Sequence, residues 1–196
     1  MGANEIVYFE RPGPENTAAV AAAVARRCRE LGIRHVVAAS CTGATALELH
    51  KALEGSGATL IAVAEHAGYA GGDAPSIGEA ERRELERRGI KTLVASHALS
   101  GVARSISKKF GGVTPVELIA HVLRLFGTEG VKVAVEVAVM AADAGLLPTD
   151  SEAIAVGGTA EGADTALVLR PAHMNNFFDL EVRELICKPR QRERAE

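Results

Sequence analysis

The chain has 196 residues, of which 47% are hydrophobic and 24% charged, with a formal net charge of −3. That composition excludes a disordered chain and is long enough for one domain with a full core. Two Tyr, five Phe and no Trp, against 20 Gly, exclude aromatic stacking platforms for single-stranded nucleic acid, and the acidic balance excludes a phosphate-backbone binder.

Strand-like and helix-like runs alternate along the chain, which predicts an α/β fold. Ile6–Phe9 is a short apolar run. Pro14 and then Asn16 and Thr17 open a helix, whose apolar stripe is Val20, Val24, Cys28 and Leu31 and which Gly32 ends. His35–Ala39 reads as a parallel strand buried on both faces. A helix follows over about 43–53, and Thr59–Ala64 is the third strand.

A Gly-rich loop from His66 to Pro75 comes next. Ser76-Ile-Gly-Glu79 reads as a capping box opening a charged helix that stops at Gly89. Lys91–Ala95 is the fourth strand, and a helix over about 101–109 follows it. Thr114-Pro-Val-Glu117 is a second capping box, with Pro at the first helical position. Its helix is expected to turn Val116, Ile119, Leu123 and Phe126 inward and to stop at Gly127.

Thr128 caps the next helix, to about Ala144, which is apolar nearly all round and so is expected to be buried. Its polar residues Glu129, Lys132, Glu136 and Asp143 fall in one stripe. Ala153–Val156, Ala166–Leu169 and about 180–186 close the chain as strands. The last carries Glu181, Arg183 and Glu184 and reads as an edge strand. The expected architecture is a three-layer α/β/α sandwich with a mostly parallel sheet of six or seven strands. Residues 1–187 make one domain and the basic run 188–196 a solvated tail.

Three cysteines, an odd number, with no signal peptide point to a reducing cytoplasm. Cys28, Cys41 and Cys187 have no zinc spacing, and no metal is expected. No apolar run approaches the ~20 residues of a membrane span, so no membrane partner is expected either. The oligomeric state is left open; the helix 114–126 and the strand near 180–186 are the candidate contact surfaces of a homo-oligomer.

In open α/β sheets ligands bind at the carboxyl ends of the strands. After the second strand stands Ser40-Cys-Thr-Gly-Ala-Thr-Ala46, a hydroxyl-rich turn running straight into a helix. Free N–H groups, the helix dipole and Ser/Thr hydroxyls there suit an anion. No Lys follows, so this is not a Walker A loop, nor is it a GxGxxG fingerprint. The plainer reading is that Thr42 merely caps the helix. Asn16 and Thr17, His66 to Gly68, Ser96-His97, Gly157-Gly-Thr159 and Asp164-Thr165 follow or flank the other strands on the same edge. Cys41 beside a helix N-terminus raises the alternative of a nucleophilic enzyme. His66 and His97 are candidate proton carriers or donors to a ligand. Glu136, four residues after Lys132, either points into the ligand edge or belongs to a solvated stripe.

Tyr8-Phe-Glu10, Asn16-Thr17, the Ser40–Ala46 turn, His66-Ala-Gly68, the run 135–145, Gly157-Gly-Thr159, Gly162-Ala-Asp-Thr165 and the closing run 176–186 together resemble a known family. It is that of the free-standing archaeal and bacterial proteins similar to the C-terminal domain of pyruvate kinase. The resemblance covers nearly the whole chain. It implies the fold and a phosphate turn, but not kinase activity, because the barrel carrying that active site is not part of this sequence. It also implies bound flavin mononucleotide (FMN), with no established reaction and with any enzymatic role left open. By position, Ser40, Thr42, Gly43 and Thr45 would hold the FMN phosphate; Cys41 and Ala44 stand in the same turn, and the role of Cys41 is open. Gly157, Gly158 and Thr159 would give backbone contacts to the ribityl chain or ring, and His66, Gly68, Asn16 and Thr17 would line the mouth. From its own chemistry, Asp164 either holds a ribityl hydroxyl or forms an Asx-turn, and Glu136 is the further candidate at the ligand edge. The alternative is a non-catalytic sensor or effector module that uses the same turn for a sugar phosphate.

Overall fold

The computed structural model describes residues 5–192. Seven strands form one sheet: β1 (Val7–Phe9), β2 (His35–Ala39), β3 (Thr59–Glu65), β4 (Lys91–Ala95), β5 (Ala153–Gly157), β6 (Thr165–Arg170) and β7 (Glu181–Pro189). Their order is β1-β7-β6-β5-β2-β3-β4. All neighbours pair in parallel except β6, which runs antiparallel to both β5 and β7. The carboxyl ends of β1 to β5 therefore lie along one edge, together with the start of β6.

The described residues also form six α-helices: α1 (Thr17–Leu31), α2 (Ala44–Ala52), α3 (Glu79–Arg87), α4 (Val102–Phe110), α5 (Pro115–Arg124) and α6 (Glu129–Asp143). Successive strand residues point to opposite faces. Val36 and Ala38 of β2 accordingly join α1, α2 and Leu85 of α3 in one core, while Val37 joins α6 in the other. The result is the expected α/β/α sandwich on a mostly parallel seven-stranded sheet. No helix among the described residues is long and apolar enough to cross a membrane.

Local rules account for most boundaries. Gly32, at φ 65°, ends α1, and its N–H returns to Arg29 and Cys28. Thr114 and Glu117 form the reciprocal capping box of α5. Thr128 Oγ1 accepts from Gly130 N at the start of α6.

Four expectations are corrected. Ser76 does not cap α3: Gly78 takes that position, and the Ser76 hydroxyl accepts instead from Glu65 N at the end of β3 (3.2 Å). β7 is not the edge strand, because β1 pairs outside it. That pairing reaches only Cys187–Pro189, so the charged part of β7 still lacks a neighbour on that side. α5 ends at Arg124 and buries only Ala120, with Phe126 61% exposed. Val116, Ile119 and Leu123 are half-buried, because α5 packs on α6 and α4 beside the sheet rather than over its centre. Lys188 and Pro189 belong to β7, and residues 193–196 of the expected tail lie outside the described residues.

Candidate functional site

The turn after β2 is built to leave amides open. Gly43, at φ 85°, takes the left-handed conformation that lets the chain enter α2 directly, and no side chain bonds at the cap. Ser40 Oγ accepts from Ala46 N (3.2 Å), and Leu47 N returns to Gly43 O. The first N–H groups of a helix have no partner within it. At α2 this leaves the amides of Ala44 and Thr45 with no partner among the described residues, and both residues line a cleft of about 870 Å³.

Every parallel strand end from β1 to β5 contributes to that cleft. Pro14, Thr17 and Ala18 come from the start of α1, Ser40, Cys41, Thr42 and Glu48 from the α2 turn and helix, and Glu65 and Tyr69 from beyond β3. His97 follows β4, and Gly158 to Gly162 follow β5. The sheet and α6 supply an apolar floor of Ala39, Val63, Val133, Val137 and Met140. An apolar pocket with a few convergent polar groups is the usual form of a small-molecule site.

The charges are mostly paired or acidic. Arg124 bonds Glu129 (2.5 Å), and Lys132 bonds Glu136 with both side chains buried. Glu136 Oε1 also accepts from Leu99 N (2.7 Å). Glu15, Glu48, Glu65 and Glu161 add further carboxylates. An anion held here would be recognised by oriented backbone amides rather than by a cluster of cations. On the β4 side the rings of Tyr69 and His97 meet edge to face with centroids 4.8 Å apart, and Arg104 lies 5.7 Å over Tyr69. Burial lowers the His97 pKa, with the nearby Glu136 carboxylate acting against it.

The residues singled out from the sequence divide into those that line the cleft, those that shape or brace its wall and those that line an adjoining pocket. Ser40, Cys41, Thr42, Ala44, Thr45, Thr17, Glu136 and Gly158 line the cleft. Gly43 shapes the turn from behind, against Leu85. Asn16, Gly157, Thr159 and Asp164 stand behind the wall and hold it up. Asn16 Nδ2 donates to Arg11 O (2.9 Å), and Thr159 Oγ1 donates to Thr128 Oγ1 (2.9 Å). Gly157 packs on α6, and Asp164 is wholly buried, accepting from Thr165 Oγ1 (2.7 Å). His66 and Gly68 line an adjoining pocket of about 500 Å³ that shares Tyr69 and Arg104 with the cleft. Among the described residues no three His, Cys, Asp or Glu side chains cluster as metal ligands would.

Cys41 is half-buried in the turn, and burial together with the Glu65 carboxylate pushes its thiol above the usual value. That opposes the helix N-terminus and leaves a thiol, not a thiolate, at neutral pH. Arg104, Arg124 and the aliphatic floor of α6 went unnoticed in the sequence. Nothing local marks them, since only tertiary packing brings α4 and α6 to the strand ends.

Similarity to known proteins follows the same outline. The family model described as pyruvate kinase, alpha/beta domain, matches residues 18–169. Two solved pyruvate kinases from Cryptosporidium parvum resemble the chain at 20% and 18% identity, each over 80% of it, with TM-scores of 0.42 and 0.40. A third structure, Cryptosporidium parvum pyruvate kinase in complex with ADP, is 21% identical over 78% of the chain, with a TM-score of 0.39. The chain spans only 22–23% of the length of these three enzymes. The family match runs from α1 into β6, well over half of the sequence, and the chain belongs to the pyruvate kinase alpha/beta domain family.

Proposed function

We propose that the chain binds a phosphorylated small molecule in the cleft, with the phosphate on the Ala44 and Thr45 amides, and that the ligand is FMN. The observation that carries this reading is the start of α2, where Ser40 meets only the Ala46 amide, opening into an 870 Å³ cleft. An anion there meets free N–H groups and the positive end of the helix dipole without a desolvated lysine. The residues present also fit the flavin. A polar turn at one end suits its phosphate, and the floor of Val63, Val133, Val137 and Met140 suits a flat apolar ring. Thr17 Oγ1, which donates to Pro14 O (2.7 Å) and accepts from Ala163 N (3.0 Å), fixes the far wall of the mouth.

A bound flavin supplies electron or hydride transfer, while the protein binds and orients it. Glu136 is locked by Lys132 and by Leu99 N, so its carboxylate is held in place rather than free to shuttle protons. His97, kept neutral by burial, can both give and accept a hydrogen bond at the cleft wall at neutral pH, as can the hydroxyls of Thr42 and Tyr69.

Titrating the purified protein with FMN, read by quenching of flavin fluorescence, tests the reading. Saturable binding together with a raised melting temperature supports it. Stabilisation by sugar phosphates with none by FMN replaces it with an effector module on the same turn. No response to either refutes the phosphate turn itself.

A further inference from the structure

The α6 wall of the cleft carries a charged pair that the phosphate turn does not use. Lys132 and Glu136 stand one helical turn apart with side chains only 7% and 3% exposed. Their neighbours on the same wall, Val133, Val137 and Met140, are apolar. Burying two charges is costly, and apolar side chains of similar size often serve stability as well. The bond from Leu99 N gives the Glu136 carboxylate a structural use, but packing gives none for the remaining donors of Lys132.

The two partners are not equally satisfied. Glu136 accepts on both oxygens, from Lys132 Nζ and from Leu99 N. An ammonium has three N–H donors. Among the described residues, Glu136 is the only acceptor bonded to the Lys132 ammonium. Lys132 lines the cleft, and a buried polar group left without partners is expensive. Its remaining donors call for an acceptor on whatever fills the cleft.

We infer that Lys132 is a second anchor, donating to an acceptor oxygen on the part of the ligand that lies against α6, with Glu136 positioning its ammonium. The inference rests on the phosphate-anchored reading above and narrows it. The ligand is a phosphate monoester whose other end is flat and apolar enough for the Val133, Val137 and Met140 floor and bears a carbonyl, imide or carboxylate oxygen. A simple alkyl phosphate satisfies α2 but leaves Lys132 unmet. FMN satisfies both, because its ring carries carbonyl oxygens.

The test measures affinity for FMN by fluorescence quenching and for inorganic phosphate by calorimetry. The proteins are the wild type, Lys132→Arg, and the double variant Lys132→Met with Glu136→Gln. The Gln keeps an acceptor for Leu99 N and leaves no unpaired buried carboxylate, and an unchanged thermal transition shows that the fold is intact. A charge-assisted hydrogen bond corresponds to about 10- to 100-fold in affinity. The double variant is expected to lose that factor for FMN while binding inorganic phosphate within about twofold of wild type, and Lys132→Arg to keep most of the FMN affinity. Equal FMN affinity in wild type and double variant overturns the role of Lys132 and leaves the phosphate turn standing. Parallel loss for FMN and phosphate also overturns it, since the change then acts on the turn. No FMN binding by the wild type overturns the ligand reading and this inference with it.

Discussion

Gly157 at the end of β5 lies against Gly130 in the first turn of α6, backbone on backbone. A Cβ on Gly157 would run into the Gly130 carbonyl oxygen and come within 2.8 Å of the Ala134 nitrogen. A Cβ on Gly130 would strike the side chains of Thr165 and Asp164. This close approach seats α6 at the carboxyl edge and so places Lys132, Glu136 and the aliphatic floor in the cleft. The two glycines serve the site by this close packing.

Gly157→Ala is expected to destabilise the fold by at least ~2 kcal/mol, because neither helix nor strand backbone can move aside cheaply. Urea denaturation measures it. Gly158→Ala, whose Cβ would meet the Gly162 carbonyl, should behave alike, whereas Gly32→Ala at the open end of α1 meets nothing and pays only for its positive φ. A loss at Gly157 no larger than at Gly32 would show that α6 is not held by this contact.

Ala44 occupies the first helical position of α2 and is exposed. Ala44→Asp would place a carboxylate beside the very amides assigned to the phosphate. Acidic residues at a helix N-terminus stabilise it by about 0.3–1 kcal/mol. The variant should therefore melt slightly higher than wild type yet bind phosphate ligands at least ~10-fold more weakly through like-charge repulsion. Differential scanning fluorimetry and ligand titration read the two effects separately. Higher stability with undiminished affinity would remove the phosphate from this turn.

The three thiols should separate cleanly by reactivity. Cys28 donates to Ile33 O (3.1 Å) inside the core, and burial pushes Cys187 up to about 12. Cys41 alone is partly open, and it lines the cleft. A disulfide reagent should modify one cysteine in the native protein and three after denaturation. Because the Cys41 thiol is raised by burial and by Glu65, the native reaction should be slow at pH 7 and accelerate as pH rises past 9. Saturating FMN should protect Cys41. Fast labelling at pH 7 would contradict the raised thiol.

Much of this architecture was legible in the sequence. β2 and β4 coincide with their apolar runs, and α5 begins at its capping box, because these signals are local and strong. Ser76 misled because the same hydroxyl had a competing partner, the end of β3, that only the folded chain brings near. β7 looked like an edge because its charged half is edge-like in fact: three-residue β1 covers only its far end. At the site, the α2 turn was readable from hydroxyl and glycine spacing. The division between residues that line the cleft and those that brace it was not. Asp164 and Thr159 carry the chemistry of a binding loop, and only the fold shows Asp164 buried and the Thr159 hydroxyl spent on Thr128.

Asp164 gives the clearest dependence of stability on pH. It is fully buried at the end of the β5–β6 loop, with no hydrogen-bond partner for Oδ2 among the described residues. Burial holds its carboxyl above the ordinary value of 3.8, with donors on Thr165, Thr159 and Gly13 pulling only partly back. The unfolded chain therefore releases this proton at a lower pH than the native protein does. Stability from this group is fully present below about pH 3.8, falls as pH rises toward the raised native value, and stays lost above it. Asp164→Asn keeps an acceptor for Thr165 and removes the titration. Any mismatch between its amide and the nearby N–H groups is a constant offset, independent of pH. Urea midpoints of wild type and variant between pH 3.5 and 7 should then diverge, with the variant gaining relative to wild type as pH rises. A difference that stays flat across the range would mean that Asp164 is ionised in the native state and held there by those donors.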